Sequence, residues 1–577
     1  MHFLKVSDHR LRCRSSAWLL YCLQSTTSIL SCRFLFCTDK IILHIMADEE
    51  KNPAVIGVSV GDESDTISER QRSTNIPWSM KILSVVLVSL VGFGSHWSSG
   101  VTGAMKSTLK KELHINNAQY ATLDASENFI KAALILVSGV VTDRIGGASK
   151  YQISSDSITQ LHFLTLPSSG AMLWGNAVYS IGAILIAAAT QVRSFKFMIV
   201  GSVIQAFGDV ATQCAQYKVF SSWFAPSNGF ASTLGFELGL GKIGSFVGQA
   251  SANVIAKRTG NFSWVYWCAV FINLFTNVVT GVFYVFTNYC ERRYAGTNDP
   301  ATGERLTEKN KKFEFTKMLR LPWPFWLVAL FSLFQTSVAS VFSSNATEFA
   351  QKRFNISAVT AGWYSAMSQY LGFFLVPILG VFIDILGQRN TIMLVCGLGM
   401  LLSMCLAAFG PSVGGTAASF GIYAFAASLG PTVIIDSIRT SMWYQEVFGS
   451  GYAIKIAINN SMTIIIGIVA GVIQDHDNDS YNRVIILYVV LAAGAVVVGV
   501  IMVGISFVSP TMDRLQWTRK QRIIRGEKIN ALKEEFEEGK NRERHKNFSL
   551  SCFVAMIILL LGAWATYIWG VATGNND

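Results

Sequence analysis

Two charged residues lie where a membrane-spanning helix would ordinarily exclude them. Asp209 sits in the run GSVIQAFGDVATQCAQYKVF and Lys242 in FASTLGFELGLGKIGSFVGQASAN, with the short loop SSWFAPSNG between the two runs. A charge at bilayer depth costs roughly 2.5–3.5 kcal/mol on insertion scales, so it faces a cavity or a partner and marks a pathway. Gln205, Asp209, Gln213 and Gln216 recur at near-helical spacing, and Lys242, Ser245, Gln249 and Asn253 form a second stripe. Stripes of this kind line a water-filled cavity. The plainer alternative, an Asp–Lys bridge sealing two helices, would not need two polar stripes.

Further candidates surround this pair. Asp124, Glu127 and Lys131 share one face of a preceding helix, and Glu127 to Lys131 is a favourable one-turn ion pair. His96, beside Trp97, could bind a solute or titrate. Glu237 is harder to place. Later in the chain Gln335, Glu348, Tyr364, Gln369, Lys455, Asn459 and Asn460 are polar residues within apolar runs. Asp436 and Arg439 fall near a helix end, where they would serve as a gate or latch. There is no nucleophile–base constellation, metal-ligand spacing or phosphate loop, so neither an enzyme nor a cofactor is expected.

The scaffold for these residues is a membrane protein. The 577 residues are 51% hydrophobic and only 14% charged, and many apolar runs reach the roughly 20 residues that span a bilayer. The net charge of +11 is not a nucleic-acid signal, because Lys and Arg collect in cytosolic loops of membrane proteins. Ten cysteines without CxxC spacing suggest no disulfide framework or zinc site. Spans are expected near 80–104, 117–141, 171–191, 196–218, 229–256 and 263–287, then near 323–346, 358–382, 390–409, 414–437, 450–473 and 482–508.

These divide the chain into an N-terminal tail (1–79), a six-helix bundle (80–287), a basic linker (288–321), a second six-helix bundle (322–508), a polar amphipathic segment (509–547) and an extra apolar span (548–570). Residues 1–45 read as an upstream extension, with Met46 the more natural start. Residues 46–76 are polar enough to be disordered. The insert 149–170 is neither charged nor periodic and reads as a retained intron in preference to a regulatory loop. The segment after 509 is expected to be a cytosolic helix lying partly at the membrane surface. The basic linker places the N-terminus in the cytosol. The triplets at Asn261, Asn355 and Asn478 then fall in loops of the opposite face.

A signature occurs twice, once in each half. Gly139-Val-Val-Thr-Asp143-Arg144-Ile-Gly146 follows the second span, and Gly380-Val-Phe-Ile-Asp384-Ile-Leu-Gly387-Gln-Arg389 follows the eighth. The glycine permits close helix approach, and the aspartate can latch onto an arginine or a helix N-terminus. The repeat resembles the loop motif of the major facilitator superfamily. That resemblance implies an all-α major facilitator fold, two six-helix bundles with substrate bound between them, here with an extra C-terminal helix. It also implies a gating role for Asp143, Arg144, Asp384 and Arg389.

The 201–253 stretch and Phe382-Ile-Asp384 are similar to the lysosomal dipeptide transporter branch of that superfamily, over about 80–505. In that branch an acidic residue in helix 4 and an arginine in helix 5 hold the two ends of a dipeptide. Asp209 and Lys242 stand at the matching places, although Lys cannot make the forked contact of Arg. The resemblance implies a uniporter of dipeptide-like zwitterions, leaving the lysosome or vacuole for the cytosol. Its substrate site would include Asp209, Lys242, Gln213, Gln249, Glu127 and His96, with a glycosylated single-span accessory protein as partner. The alternatives are a proton-coupled carrier of small organic anions, a non-transporting sensor or scaffold, and a plasma-membrane location.

Overall fold

The computed structural model describes residues 76–145, 168–294, 299–302, 306, 315–410, 412–444, 447–538 and 542–573. The expectations for the N-terminal tail and for nearly all of the 149–170 insert lie outside them. The described chain is a set of long helices with no strand. The first half contributes α1 (Trp78–Ala104, interrupted at Gly92), α2 (Asn117–Ile145), α3 (Ser168–Val192), α4 (Phe195–Trp223), α5 (Phe230–Thr259) and α6 (Ser263–Arg293). The second contributes α7 (Trp323–Phe354), α8 (Ala358–Leu386), α9 (Arg389–Phe409), α10 (Val413–Ser441), α11 (Phe448–His476) and α12 (Asn482–Ser506). A final helix, α13, spans Arg542–Thr573.

Among the described residues eleven helices are long and apolar enough to cross a membrane. The two of matching length that fall short are α2 and α5, with 29 and 30 residues. α2 carries the charged face Asp124, Glu127 and Lys131, and α5 carries the Lys242 stripe, which lower their apolarity. The chain forms an all-α integral membrane protein of two sets of six long helices with one more at the end.

Local sequence sets the helix ends. Ser194, Ser357 and Ser412 accept from the backbone N–H three residues on, starting α4, α8 and α10. Gly387, at φ +69°, stops α8 where a side chain would be strained and would strike the Trp517 carbonyl. Large apolar side chains such as Phe271, Val278 and Val285 on α6, and Val490 and Val497 on α12, point outward. Lipid replaces water there, so outward apolar surface costs nothing.

The halves meet along two seams, α5 on α8 and α2 on α11. Glycines set the first. A Cβ on Gly380 would lie 2.4 Å from the Ala231 carbonyl, and one on Gly235 would lie 2.7 Å from the Val376 carbonyl. The α5 glycines divide their work, Gly235 and Gly239 meeting α8 while Gly244 and Gly248 meet α1. The extra helix α13 lies over the second seam. Tyr567 stacks on Phe129 of α2 at 4.3 Å and hydrogen-bonds Ser126 at 2.9 Å, while Ala563 packs with Ile464 and Ile468 of α11.

The segment between α12 and α13 departs from the expected surface helix. It is broken into Pro510–Asp513, a turn at Arg514–Gln516, Arg519–Ile524 and Gly526–Glu538. Ile529, Leu532 and Phe536 pack on Trp443 and Trp517 instead of lipid, and Leu515 is fully buried. The apolar face found a protein partner at the end of α10. Ile524 stays strongly exposed, at 82%, beside the exposed Ile523.

Candidate functional site

Asp209 is buried midway along α4. Its carboxylate accepts from Lys131 Nζ of α2 at 2.5 Å and from Gln213 Nε2, one turn on, at 2.7 Å. Lys131 also pairs with Glu127 on its own helix. The structure therefore joins Glu127, Lys131, Asp209 and Gln213 in one chain, with the lysine between two carboxylates. The alternative considered for this pair, a direct Asp209–Lys242 bridge, is not formed. The reason is rotational: α2 packs beside α4, so the Lys131 stem reaches Asp209, whereas Lys242 is turned toward α8.

Lys242 donates to Gln369 Oε1 of α8 at 2.9 Å, and its stem lies along Gly372. Among the described residues no carboxylate stands within 4.0 Å of Lys242 Nζ, and the same holds for Lys455 of α11. Lys455 is buried and meets the ring of Tyr452 at 5.9 Å, and Tyr452 in turn touches Tyr217 of α4, centroids 4.6 Å apart. Two cations from opposite halves thus approach the seam without a neutralising carboxylate.

The other candidates fall into two groups. His96 Nε2 lies 3.8 Å from Glu237 Oε1, and the second oxygen of the buried Glu237 has no hydrogen-bond partner. Gln249 is buried with its Oε1 unpartnered. These retain binding capacity. Ser245, Asn253 and Gln216, by contrast, donate to the backbone carbonyls of His96, Ala104 and Val88. Part of each polar stripe therefore ties helices together. A cavity of about 40 Å³ within the first half is lined by Ser98, Asp124, Glu127, Gln205 and Tyr266. It holds a few waters and no larger solute.

Polar contacts close the seam at both ends. At the end bearing the α4–α5 loop, Asp384 accepts from Ser232 N at 2.7 Å, Ser232 Oγ at 2.5 Å and Ala231 N at 3.4 Å. These N–H groups belong to the first turn of α5, which its own glycine cap leaves unsatisfied, and the helix dipole there favours an anion. Arg389 forms a buried ion pair with Asp436 and donates to Ser227 Oγ of the α4–α5 loop at 3.0 Å. The backbone of Asp143 and Arg144 is helical, but their side chains lie outside the described residues.

At the opposite end Lys106, just past α1, is fully buried against the second half. Its Nζ lies 2.9 Å from Glu348 Oε2 and donates to Asn345 at 2.6 Å and Gln474 at 3.0 Å. Lys110 reaches the other Glu348 oxygen at 3.1 Å, and Tyr481 donates to Glu348 at 2.6 Å. Asp475 of α11 caps the start of α2 through the N–H groups of Asn117 and Ala118. Sequence reasoning singled out Glu348 alone in this network. Lys106 and Lys110 look like solvated charges at a helix end, and the KxxxK spacing is their only signal.

Comparison with known proteins accords with this architecture. The profile of the Major Facilitator Superfamily matches residues 166–442, from before α3 to the end of α10. The lysosomal dipeptide transporter MFSD1 of Homo sapiens is 21% identical over 403 residues, covering 68% of this chain and 80% of the relative. The same transporter of Mus musculus is 20% identical over 406 residues, with the same coverage.

Proposed function

We propose that this chain is a transporter of the major facilitator type and that its cargo is a small zwitterion of the dipeptide class. In this reading residues 80–287 and 322–508 are the two moving bundles, and the cargo leaves a lysosomal or vacuolar lumen for the cytosol by alternating access. One observation carries the reading: Lys242 stands in the seam between the halves with a neutral amide as partner and, among the described residues, no carboxylate within 4.0 Å to balance it. A cargo carboxylate supplies the missing charge. The cargo ammonium goes to Asp209, displacing Lys131, which Glu127 retains. Gln213, Gln249 and His96 contribute polar contacts around it. The names of the relatives support the substrate class and the compartment. A single-span accessory protein belongs to the same reading.

The test is counterflow of dipeptides by protein reconstituted in liposomes. Asp209→Asn combined with Lys242→Gln removes both charges, so neither is left unpaired at depth. The expected result is a folded, membrane-inserted and inactive protein. Wild-type dipeptide flux in that variant overturns the assignment. A second reading, a carrier of small organic anions coupled to protons, draws on Lys455, which adds a second unbalanced cation on the other side of the seam. Counterflow of dicarboxylates driven by a pH gradient, with no dipeptide flux, selects it.

A further inference from the structure

The extra helix α13 touches a different half of the molecule at each of its ends. Near its start it is fastened to the second half. Trp326 of α7 donates its indole N–H to Ser549 Oγ at 3.3 Å and meets Phe553 edge-on, centroids 5.0 Å apart. Ser549 is fully buried there, and farther along Ala563 is fully buried among Ile464 and Ile468 of α11. The last turns then cross onto α2 of the first half. Tyr567 lies flat on Phe129, and Trp564 is tilted against the same ring at 5.6 Å. Ser126 Oγ already donates to the Thr122 carbonyl at 2.8 Å, so the Tyr567 hydroxyl is the donor in the bond between them. Gly570 closes the contact. A Cβ there would lie 2.8 Å from Thr122 Oγ1 of α2 and 3.5 Å from Ile468 of α11. The glycine thus sits in the groove where the two halves meet.

Lipid gives one helix no hydrophobic reason to seek another, so association rests on close packing and interhelical hydrogen bonds. The contact of α13 with α2 has both: a glycine approach, a stacked ring and a buried hydroxyl pair. The other side of α13 presents Val554, Ile558, Leu561 and Ile568 outward, as a lipid-facing surface does. The contact lies toward the Lys106–Glu348 end of the molecule. There α2 begins at Asn117, whose N–H donates to Asp475 of α11 at 3.1 Å, and a Cβ on Gly471 would lie 2.9 Å from the Asn117 carbonyl. Parting α2 from α11 at that end draws Ser126 and Phe129 away from a helix fastened to the other half.

We propose that α13 is a strap, carried by the second half, that holds the Lys106–Glu348 end shut and biases the molecule toward opening at the Asp384 end. The strap rests on the reading that the two bundles move against each other, and the experiment tells the failure of one from the failure of the other.

Full-length protein in liposomes is labelled at an engineered cysteine behind the Lys106–Glu348 contacts or, in a separate variant, behind the Asp384–Ser232 contacts. The ratio of the two rates reports which end opens. Tyr567→Phe removes only the hydroxyl bond, Phe129→Ala removes the stacked ring, and Gly570→Leu drives a side chain between α13 and the seam. The expected ratio rises about threefold with Tyr567→Phe and up to about tenfold with Phe129→Ala, with faster labelling at the Lys106–Glu348 end and slower labelling at the other. If Gly570→Leu does not fold, the other two carry the comparison, since neither adds volume. Glu348→Gln, which acts on the same end without touching α13, is the reference. A changed ratio in Glu348→Gln and an unchanged ratio in the α13 variants, even with lowered thermal stability, makes α13 a structural helix and overturns the strap while the bundles still move. An unchanged ratio in every variant overturns the moving-bundle reading and the strap with it.

Discussion

At the residue scale, the arrangement of charges decides more than their number. Lys131 sits between Glu127 and Asp209 and balances their charge; in the proposed function it holds that place until cargo binds. Lys131→Gln frees Asp209 without removing it. Asp209 then remains buried and unbalanced, a loss that costs about 3–5 kcal/mol when one partner of a buried pair is removed. The expected outcome is reduced thermal stability that a cationic or zwitterionic cargo partly restores, read as a larger ligand-induced Tm shift than in the parent. Lys242 gives the complementary prediction. Its amine is a point charge, whereas Arg offers a fork matched to a carboxylate. Lys242→Arg should therefore keep transport and lower KM in counterflow, while Lys242→Ala should abolish flux. Equal loss in both variants would show that Lys242 meets no carboxylate.

At the element scale, helices were legible and their partners were not. The apolar runs mark α1 to α13 to within a few residues at most ends, because length and hydropathy are properties of one segment. The polar content of α2 and α5 did not hide them, since each is a run of 29 or 30 residues, long enough for a span. Contacts between helices depend on rotation about each axis, which one sequence does not specify. Hence neither the contact of Asp209 with Lys131 nor that of Lys106 with Asn345, 239 residues away, is legible in the sequence. The repeated glycine–aspartate signature is the exception. Its residues are fixed at a helix end, so the chemistry of Asp384 follows from position alone. Asp384→Asn removes the charge that caps α5 while leaving a hydrogen-bonding side chain. It should shift the balance between the two access states by roughly 1–3 kcal/mol, the usual scale of coupling. Labelling of engineered cysteines on the two faces measures this, and unchanged labelling would mean that the contact only supports folding.

At the scale of the whole molecule, polar contacts join the two halves at both ends, and in the proposed transport cycle they open in turn. Asn261, Asn355 and Asn478 are all exposed in the loops at the Lys106–Glu348 end, which is the luminal end if the basic linker is cytosolic. Thirteen spans then put the C-terminus in the lumen as well, and a C-terminal tag reached by protease in intact organelles would contradict that count. At this end Asp479 faces Lys110 at 3.4 Å and Lys352 at 3.7 Å. Burial alone would raise its carboxyl, but Asn117, Lys110 and Lys352 outweigh that and hold it below the usual carboxylate range. A lowered value contributes above the free pKa and is lost as pH falls through the lowered one, so Asp479 stays ionised at the acidity of a lysosome. Its share is small because it is half exposed. Glu348 is the centre of this latch, meeting Lys106, Lys110 and Tyr481. Glu348→Gln should open the luminal end, the opposite sense to Asp384→Asn, and more strongly because it leaves a buried Lys106 unbalanced. The two sites stand on separate helices at opposite ends, so their effects should add. The double variant should therefore return cysteine labelling of both faces toward the parent pattern. Labelling in the double variant that matches Glu348→Gln alone would mean the ends do not oppose each other, and that this molecule opens by some route other than rocking about its centre.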